Sequence, residues 1–136
     1  MLRWMTAALL AACAMTWAPE AARAEDGRVF ELRKYTTNPG RLDDLNARFR
    51  NHTNPIFVRH GMQLIGYWSP SEGPESENTL IYILAYPSMA ARQASWKAFR
   101  EDPDWKAAYA ESIKDGKIVS KVESTFMGAT DYSPVQ

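Results

Sequence analysis

The sequence is poor in the residues that most often build metal and thiol chemistry. Among 136 residues there are one cysteine and two histidines. Cys13 lies in an N-terminal segment that is expected to be removed, so the rest of the chain has no disulfide, thiol nucleophile or cysteine-ligated metal. His52 and His60 are too far apart in sequence for the i, i+4 pair of a helical metal site. A structural zinc site is therefore not expected.

The chain also lacks an excess of charge of either sign. Its 16 basic and 16 acidic residues balance, and 14 basic and 15 acidic residues remain once residues 1–24 are set aside. A net charge so close to zero provides no electrostatic attraction to nucleic acid or to an anionic lipid surface. Neither is expected as a partner.

Residues 1–24 have the layout of a secretory signal peptide. Arg3 gives a positive start, an apolar run extends from Trp4 to Trp17, and Ala22-Arg23-Ala24 places small residues where an exporting peptidase reads them. The run is shorter than the ~20 residues of a membrane-spanning helix. We therefore expect cleavage near Ala24 and a periplasmic or secreted protein whose mature chain, residues 25–136, has no transmembrane segment.

The same segment allows a second interpretation. Leu10-Ala11-Ala12-Cys13 resembles a bacterial lipobox, in which the cysteine is acylated and becomes the new N-terminus. Processing at Cys13 would give a lipoprotein anchored to a membrane instead of a soluble exported protein.

Residues 25–136 predict one domain in which strands and helices alternate. The predicted strands cover residues 29–36, 62–68, 79–86 and 118–127. A first helix is predicted over 41–51, and two later helices are expected to begin at the caps Ser88 and Asp102. The order strand, helix, strand, strand, helix, strand is the α+β, ferredoxin-like βαββαβ plan. Its right-handed connections place the helices on one side of a four-stranded antiparallel sheet.

Pro55 is predicted to interrupt the helical region after the first strand. Proline has no N–H to donate and clashes with the preceding turn of a helix. Thr53 or Asn54 is therefore expected to cap a short second helix, with Pro55 in its first turn and His60-Gly61 at its end.

The first strand, Arg28–Tyr35, separates two kinds of side chain by alternation. Phe30 and Leu32 share one face, and Glu31, Arg33 and Tyr35 share the other. We expect the apolar face to carry the helices and the polar face to remain free of helices. Because a bare sheet face is unfavourable, a second copy of the chain, related by a two-fold axis, is the expected partner.

At this point a family resemblance is visible. The chain resembles the NIPSNAP family over roughly residues 28 to 134, and the motifs that carry the resemblance are Glu31-Leu32-Arg33-Lys34-Tyr35, Pro39-Gly40, His60-Gly61, Gly66-Tyr67-Trp68, Asp102-Pro103-Asp104-Trp105 and Asp131-Tyr132-Ser133-Pro134. The resemblance implies a dimeric α/β barrel, in which two ferredoxin-like sheets pack face to face. It implies no reaction, although related barrels include cofactor-free monooxygenases, haem-degrading enzymes and muconolactone isomerases.

Four residues are candidates for a ligand site on these strands. The guanidinium of Arg33, with Glu31 beside it, is suited to hold a ligand carboxylate by paired hydrogen bonds; the alternative is an Arg–Glu pair that neutralises itself or reaches across the dimer. Tyr35 and Tyr67 are candidates for a pocket wall, with core packing or dimer contact as the alternative.

His52 is the fifth candidate, because it extends the apolar stripe formed by Leu45 and Phe49. An inward-facing histidine on a helix can ligate haem, as in related barrels, although a lone histidine of this kind is more often structural. No cofactor other than haem is suggested by the sequence.

The sequence favours binding over catalysis. It contains no Gly-x-Ser-x-Gly turn, phosphate loop or dinucleotide-binding glycine pattern. We expect an exported homodimer that holds a small, partly apolar molecule between sheet and helices or inside the barrel. The alternatives are a cofactor-free monooxygenase or haem-handling enzyme, and a pure protein-interaction module without a pocket.

Overall fold

The computed structural model describes residues 27–136, so the predicted signal peptide and the alternative lipidation site at Cys13 lie outside the described residues. The strands are β1 (Val29–Thr37), β2 (Gln63–Trp68), β3 (Thr79–Tyr86) and β4 (Val119–Met127). The helices are α1 (Leu42–Arg48), α2 (Asn54–Arg59), α3 (Met89–Glu101) and α4 (Pro103–Ser112), with a π-helical turn (Phe49–Thr53) between α1 and α2 and a 3₁₀ turn (Pro74–Glu77) before β3. No helix within 27–136 is both long and apolar enough to cross a bilayer.

The four strands form one antiparallel sheet in the order β2-β3-β1-β4. All the helices pack on one side of this sheet, where a single core cluster forms. Its buried members are Leu45, Phe49, Ile56, Phe57, Met62, Leu80, Tyr82, Leu84, Tyr86, Trp96, Phe99 and Ile118. The predicted α+β, ferredoxin-like fold is confirmed.

The predicted helix ends depend on three residues that act as expected. Ser88 Oγ accepts a hydrogen bond from the Ala91 N–H at 3.0 Å and caps α3. Asp102 accepts from the Asp104 N–H at 2.9 Å and caps α4. Gly61 follows α2 with φ +80°, a left-handed conformation that glycine adopts without a steric penalty.

The predicted short second helix with Pro55 in its first turn is present as α2, but the predicted break and cap before it are wrong, because the chain is helical from α1 through α2. The Asn54 N–H donates to the Phe49 carbonyl, five residues back. Thr53 does not cap a new helix; its hydroxyl donates to the Arg48 carbonyl at 3.3 Å. The π turn shifts the hydrogen-bond register by one residue just before Pro55, so the helix passes the proline without ending.

The prediction for the two faces of β1 is also wrong. Glu31, Arg33 and Tyr35 pair across β1 and β3 with residues of the core cluster, so they lie beneath the helices. Phe30 and Leu32 pair with Ala85 and Ile83 and lie on the opposite, helix-free face.

The two faces are exchanged relative to the prediction because the polar side chains of β1 form hydrogen bonds with residues inside the fold. Arg92 of α3 donates to both oxygens of Glu31, at 2.8 and 3.0 Å. A polar face that is satisfied in this way does not need to meet water. Alternation separates the faces of a strand, but it does not reveal which face the helices cover.

Candidate functional site

Arg33 belongs to a buried network in which each of its three guanidinium nitrogens already donates a hydrogen bond. Its Nε donates to the Tyr82 hydroxyl at 2.9 Å, its Nη1 to Glu31 at 2.7 Å and its Nη2 to the Tyr35 hydroxyl at 3.1 Å. Its guanidinium also lies 4.5 Å from the ring centroid of Trp96. Of the two interpretations of this arginine, the geometry favours the self-neutralising pair with Glu31.

Glu31 is the centre of this network. The residue has no exposed surface, and besides the two arginines it accepts hydrogen bonds from Tyr86 at 2.8 Å and Ser124 at 2.7 Å. Burial raises the pKa of Glu31, but the hydrogen bonds from Arg92, Ser124, Arg33 and Tyr86 outweigh burial and lower the pKa to about 2. Glu31 is therefore an ionised carboxylate whose oxygens are already occupied.

The two further candidates, Tyr67 and His52, lie in different surroundings. Tyr67 stacks on Tyr82 with ring centroids 5.2 Å apart, and its buried hydroxyl has no partner within the described part of the chain. Burial, followed by the proximity of Tyr35, raises the pKa of Tyr67. His52 is exposed on the outer side of the π turn, so the expectation that it could point inward is wrong.

A cavity of about 370 Å³ lies between the helices and the β1–β4 side of the sheet. Seven of its lining residues are aromatic: Tyr35, Phe49, Phe57, Trp96, Phe99, Trp105 and Tyr109. The π turn supplies Phe49 and Thr53, and β4 supplies the opposite wall, including Val122. Of the five candidate residues from the sequence, only Tyr35 lines this cavity. π turns inside α-helices occur frequently at functional sites.

Arg48 lines the cavity but is not among the candidate residues predicted from the sequence. Its side chain lines the cavity, yet only 6% of the residue is exposed. Its Nη1 donates to Ser112 Oγ at 3.1 Å, its buried Nε has no partner, and it forms no ion pair within residues 27–136. Burial lowers the pKa of Arg48 below its usual value, but an arginine remains charged at physiological pH.

A signal for Arg48 was present in the sequence. Leu45, Arg48 and Phe49 stand at positions i, i+3 and i+4, so they share one face of the helix. Leu45 and Phe49 mark that face as the buried one, and an arginine in such a stripe must be either paired or functional.

The lining of the cavity is positive. Four basic residues, Arg48, Arg100, Lys117 and Lys121, contribute to it, and no aspartate, glutamate or histidine does. Lys121 pairs with Glu123 at 2.9 Å, whereas Arg100 and Lys117 are exposed at the rim.

The residues present do not fit haem or a metal ion at this site. His52 lines two open grooves on the outer side of the helices and not this cavity, so it is not placed to ligate an iron inside the cavity. In the described range 27–136, no three His, Cys, Asp or Glu side chains cluster closely enough to hold a metal ion.

The fold has relatives among solved structures. A NIPSNAP family protein of unknown function from Agrobacterium tumefaciens aligns with a TM-score of 0.70 at 22% identity, covering 83% of this chain and 97% of that one. A NIPSNAP-like domain protein from Burkholderia xenovorans aligns with a TM-score of 0.69 at 18% identity, covering 81% and 91%. SnoaB, a cofactor-independent oxygenase from Streptomyces nogalater, aligns with a TM-score of 0.52 at 14% identity, covering 79% and 98%.

These structural similarities establish the fold, and the sequence comparison establishes the family. Among curated proteins, the comparison found no significant match. A sequence model of the NIPSNAP family, however, matches residues 30–134, which is most of the chain and includes every strand residue except Val29. The chain therefore belongs to the NIPSNAP family.

Proposed function

We propose that the protein binds a small, partly apolar molecule in the cavity between its helices and its sheet, and that it does so as an exported homodimer. The observation that carries the proposal is the cavity itself. Its volume of about 370 Å³ falls within the range of ligand sites, roughly 300–1,000 Å³. Aromatic walls with a few polar groups are the usual lining of such sites.

The lining favours binding over catalysis. A residue that abstracts a proton near neutral pH is most often His, Asp or Glu, and none of these lines the cavity. Glu31, the most deeply buried acid in residues 27–136, is held ionised by its donors and its oxygens are occupied. The open space between helices and sheet also favours a ligand-binding protein over a pure interaction module.

The helix-free face of the sheet supports the proposed homodimer. Leu32, Ile81 and Ile83 lie side by side on this face and are only partly buried in the single chain. Trp68, on the neighbouring strand, is 52% exposed. An apolar sheet face of this kind is suited to pack against the same face of a second copy.

Export rests on the pattern of residues 1–24, and fractionation tests it. We expect the mature protein in the periplasm or medium, with an N-terminus close to residue 25. Cys13→Ser separates the two interpretations, because it abolishes a lipoprotein anchor and leaves cleavage near Ala24 unaffected. Protein that stays in the cytoplasm at full length would contradict export.

The binding proposal is tested with N-phenyl-1-naphthylamine, a neutral apolar probe. Titration calorimetry should show one site per chain. Val122→Trp should weaken binding at least tenfold, because Val122 lines the cavity and is 46% exposed at its mouth. Val58→Trp is the matched control, since Val58 is 58% exposed on α2 and does not line the cavity. Equal binding by both variants would remove the cavity from the proposal.

A cofactor-free monooxygenase is the second candidate, because SnoaB shares the fold and the aromatic cavity carries an unpaired cation that could stabilise a deprotonated substrate. Oxygen uptake with quinol substrates tests it, with Arg48→Met as the inactive comparison.

Haem handling is tested by adding haemin. A Soret shift that disappears in His52→Ala would favour haem binding, although His52 lies on the outer side of the π turn.

A further inference from the structure

Arg48 is a buried cation that forms no ion pair within residues 27–136, although it also borders an outer groove that Asp44, Glu111 and Asp115 line. Its guanidinium lies 5.5 Å from the ring of Trp105 and 5.4 Å from the ring of Tyr109. These rings and the Ser112 hydroxyl are neutral groups, so the charge remains uncompensated. A buried charge is costly unless it is paired. The fold retains this one at the edge of its cavity.

The edge of Arg48 that has no hydrogen-bond partner within residues 27–136 has a definite shape. Nη1 is used by Ser112, whereas Nε has no partner and Nη2 makes no hydrogen bond within residues 27–136. Nε and Nη2 present two parallel N–H donors on one side of the planar guanidinium. This fork matches the two oxygens of a carboxylate.

Arg33 provides an internal comparison. Both arginines lie against the aromatic core, but the Nε, Nη1 and Nη2 of Arg33 are all engaged, and Glu31 neutralises it at 2.7 Å. The chain thus neutralises one buried arginine with a carboxylate and leaves the cavity-lining one without an ion-pair partner within residues 27–136. A purely structural requirement for charge pairing would apply equally to both.

We infer that the ligand of the cavity carries a carboxylate, which Arg48 binds through Nε and Nη2 while the aromatic walls hold the apolar part. This inference rests on the proposed function and specifies its ligand class. The rest of the lining agrees with it, because Arg100 and Lys117 at the rim attract an anion and no lining carboxylate repels one.

The test compares two probes of nearly the same shape, 2-naphthoate and 2-naphthamide, at neutral pH. Calorimetry on the wild-type chain should show naphthoate binding roughly tenfold or more tighter than naphthamide, the scale of a charge-assisted hydrogen-bond pair. Arg48→Met should abolish this preference while naphthamide still binds. Arg50→Met is the control, because Arg50 is exposed on the same helical run and does not line the cavity.

The outcomes separate the inference from the function on which it rests. If naphthamide binds and Val122→Trp blocks it, but naphthoate has no advantage or keeps its advantage in Arg48→Met, the carboxylate inference is overturned and the cavity remains a binding site. If neither probe binds to folded wild-type protein, the proposed function fails and the inference fails with it.

A structural role for Arg48 predicts a different pattern, in which substitution lowers the melting temperature and leaves the ratio of the two affinities unchanged. Should Arg48→Met not fold, Arg48→Lys serves instead. Lysine keeps the charge but loses the fork, so the preference for naphthoate should fall by several-fold. An unchanged preference in Arg48→Lys would contradict bidentate binding.

Discussion

The hydroxyl of Tyr86 donates a hydrogen bond to the Glu31 carboxylate at 2.8 Å. The same hydroxyl accepts a hydrogen bond from Trp96 Nε1, also at 2.8 Å. Burial raises the pKa of Tyr86, and the charge of Glu31 raises it further, so the phenol remains a donor. These two hydrogen bonds connect the Glu31 carboxylate on β1 to the Trp96 indole, which forms part of the cavity wall.

Tyr86→Phe should therefore cost stability out of proportion to the single oxygen removed. The change leaves the buried Trp96 N–H without an acceptor and removes one donor from Glu31. We expect a loss of about 2 kcal/mol in the free energy of unfolding, the usual cost of an unsatisfied buried polar group. Urea denaturation measures the loss. Tyr132→Phe, at a residue that is 84% exposed, is the control and should change little.

Glu31 should make the protein sensitive to acid. Its pKa is lowered from 4.5 to about 2 in the folded chain, so the unfolded chain takes up a proton first as the pH falls. The stabilisation by Glu31 is complete above its unfolded pKa and is lost as the pH falls from about 4.5 toward 2. The measured free energy of unfolding should therefore decrease steeply as the pH is lowered across this range.

Glu31→Gln tests the assignment of this acid sensitivity. The variant should lose on the order of 3 kcal/mol at neutral pH, because Arg33 and Arg92 lose their buried partner. Its stability should then fall less steeply in acid than that of the wild type. Some slope will remain, since hydrogen bonds from Arg59 and His60 lower the pKa of Asp102 as well. Exposed Glu72→Gln should reproduce the wild-type slope, and a wild-type slope in Glu31→Gln would contradict the assignment.

The order of elements could be predicted from the sequence because it depends on local chemistry. Alternation marks strands, glycine ends α2, and Ser88 and Asp102 cap their helices. These signals operate within a few residues of the chain. The positions of the strands and the ferredoxin-like order follow from them.

The orientation of the sheet could not be predicted, because it depends on partners distant in sequence. Arg92 is 61 residues from Glu31, and Ser124 is 93 residues away. β3 did not help to decide the question, since Ile81 and Ile83 on one face are as apolar as Leu80 and Leu84 on the other. Arg48 was missed for a related reason, as its lack of a partner is visible only once the fold is assembled.

Ile83→Lys should dissociate the proposed homodimer. Ile83 pairs with Leu32 and lies opposite Gly66 on the helix-free face, away from the cavity. A lysine there would bury a charge without a partner in the dimer, whereas in the monomer it reaches water. Light scattering coupled to size exclusion should give a dimer mass for the wild type and a monomer mass for the variant. Val58→Lys, on the outer surface of α2, should remain dimeric.

Gly66→Ala probes the same face through a second residue. A Cβ at Gly66 would collide with the indole of Trp68, which covers this glycine. The indole is 52% exposed, so it can swing aside at little cost to the single chain. In the dimer the displaced ring would interfere with the partner sheet. We expect the dimer dissociation constant from sedimentation velocity to rise at least tenfold while monomer stability changes by less than about 1 kcal/mol.

The control for this last change is Gly27→Ala, because a Cβ at Gly27 meets no atom within 4 Å. It should leave both association and stability unchanged. If Gly66→Ala associates as tightly as the wild type, Trp68 lies outside the contact between the two copies. If the wild-type chain is itself monomeric at micromolar concentration, the helix-free face is a water-exposed surface, and the cavity must bind its ligand within a single chain.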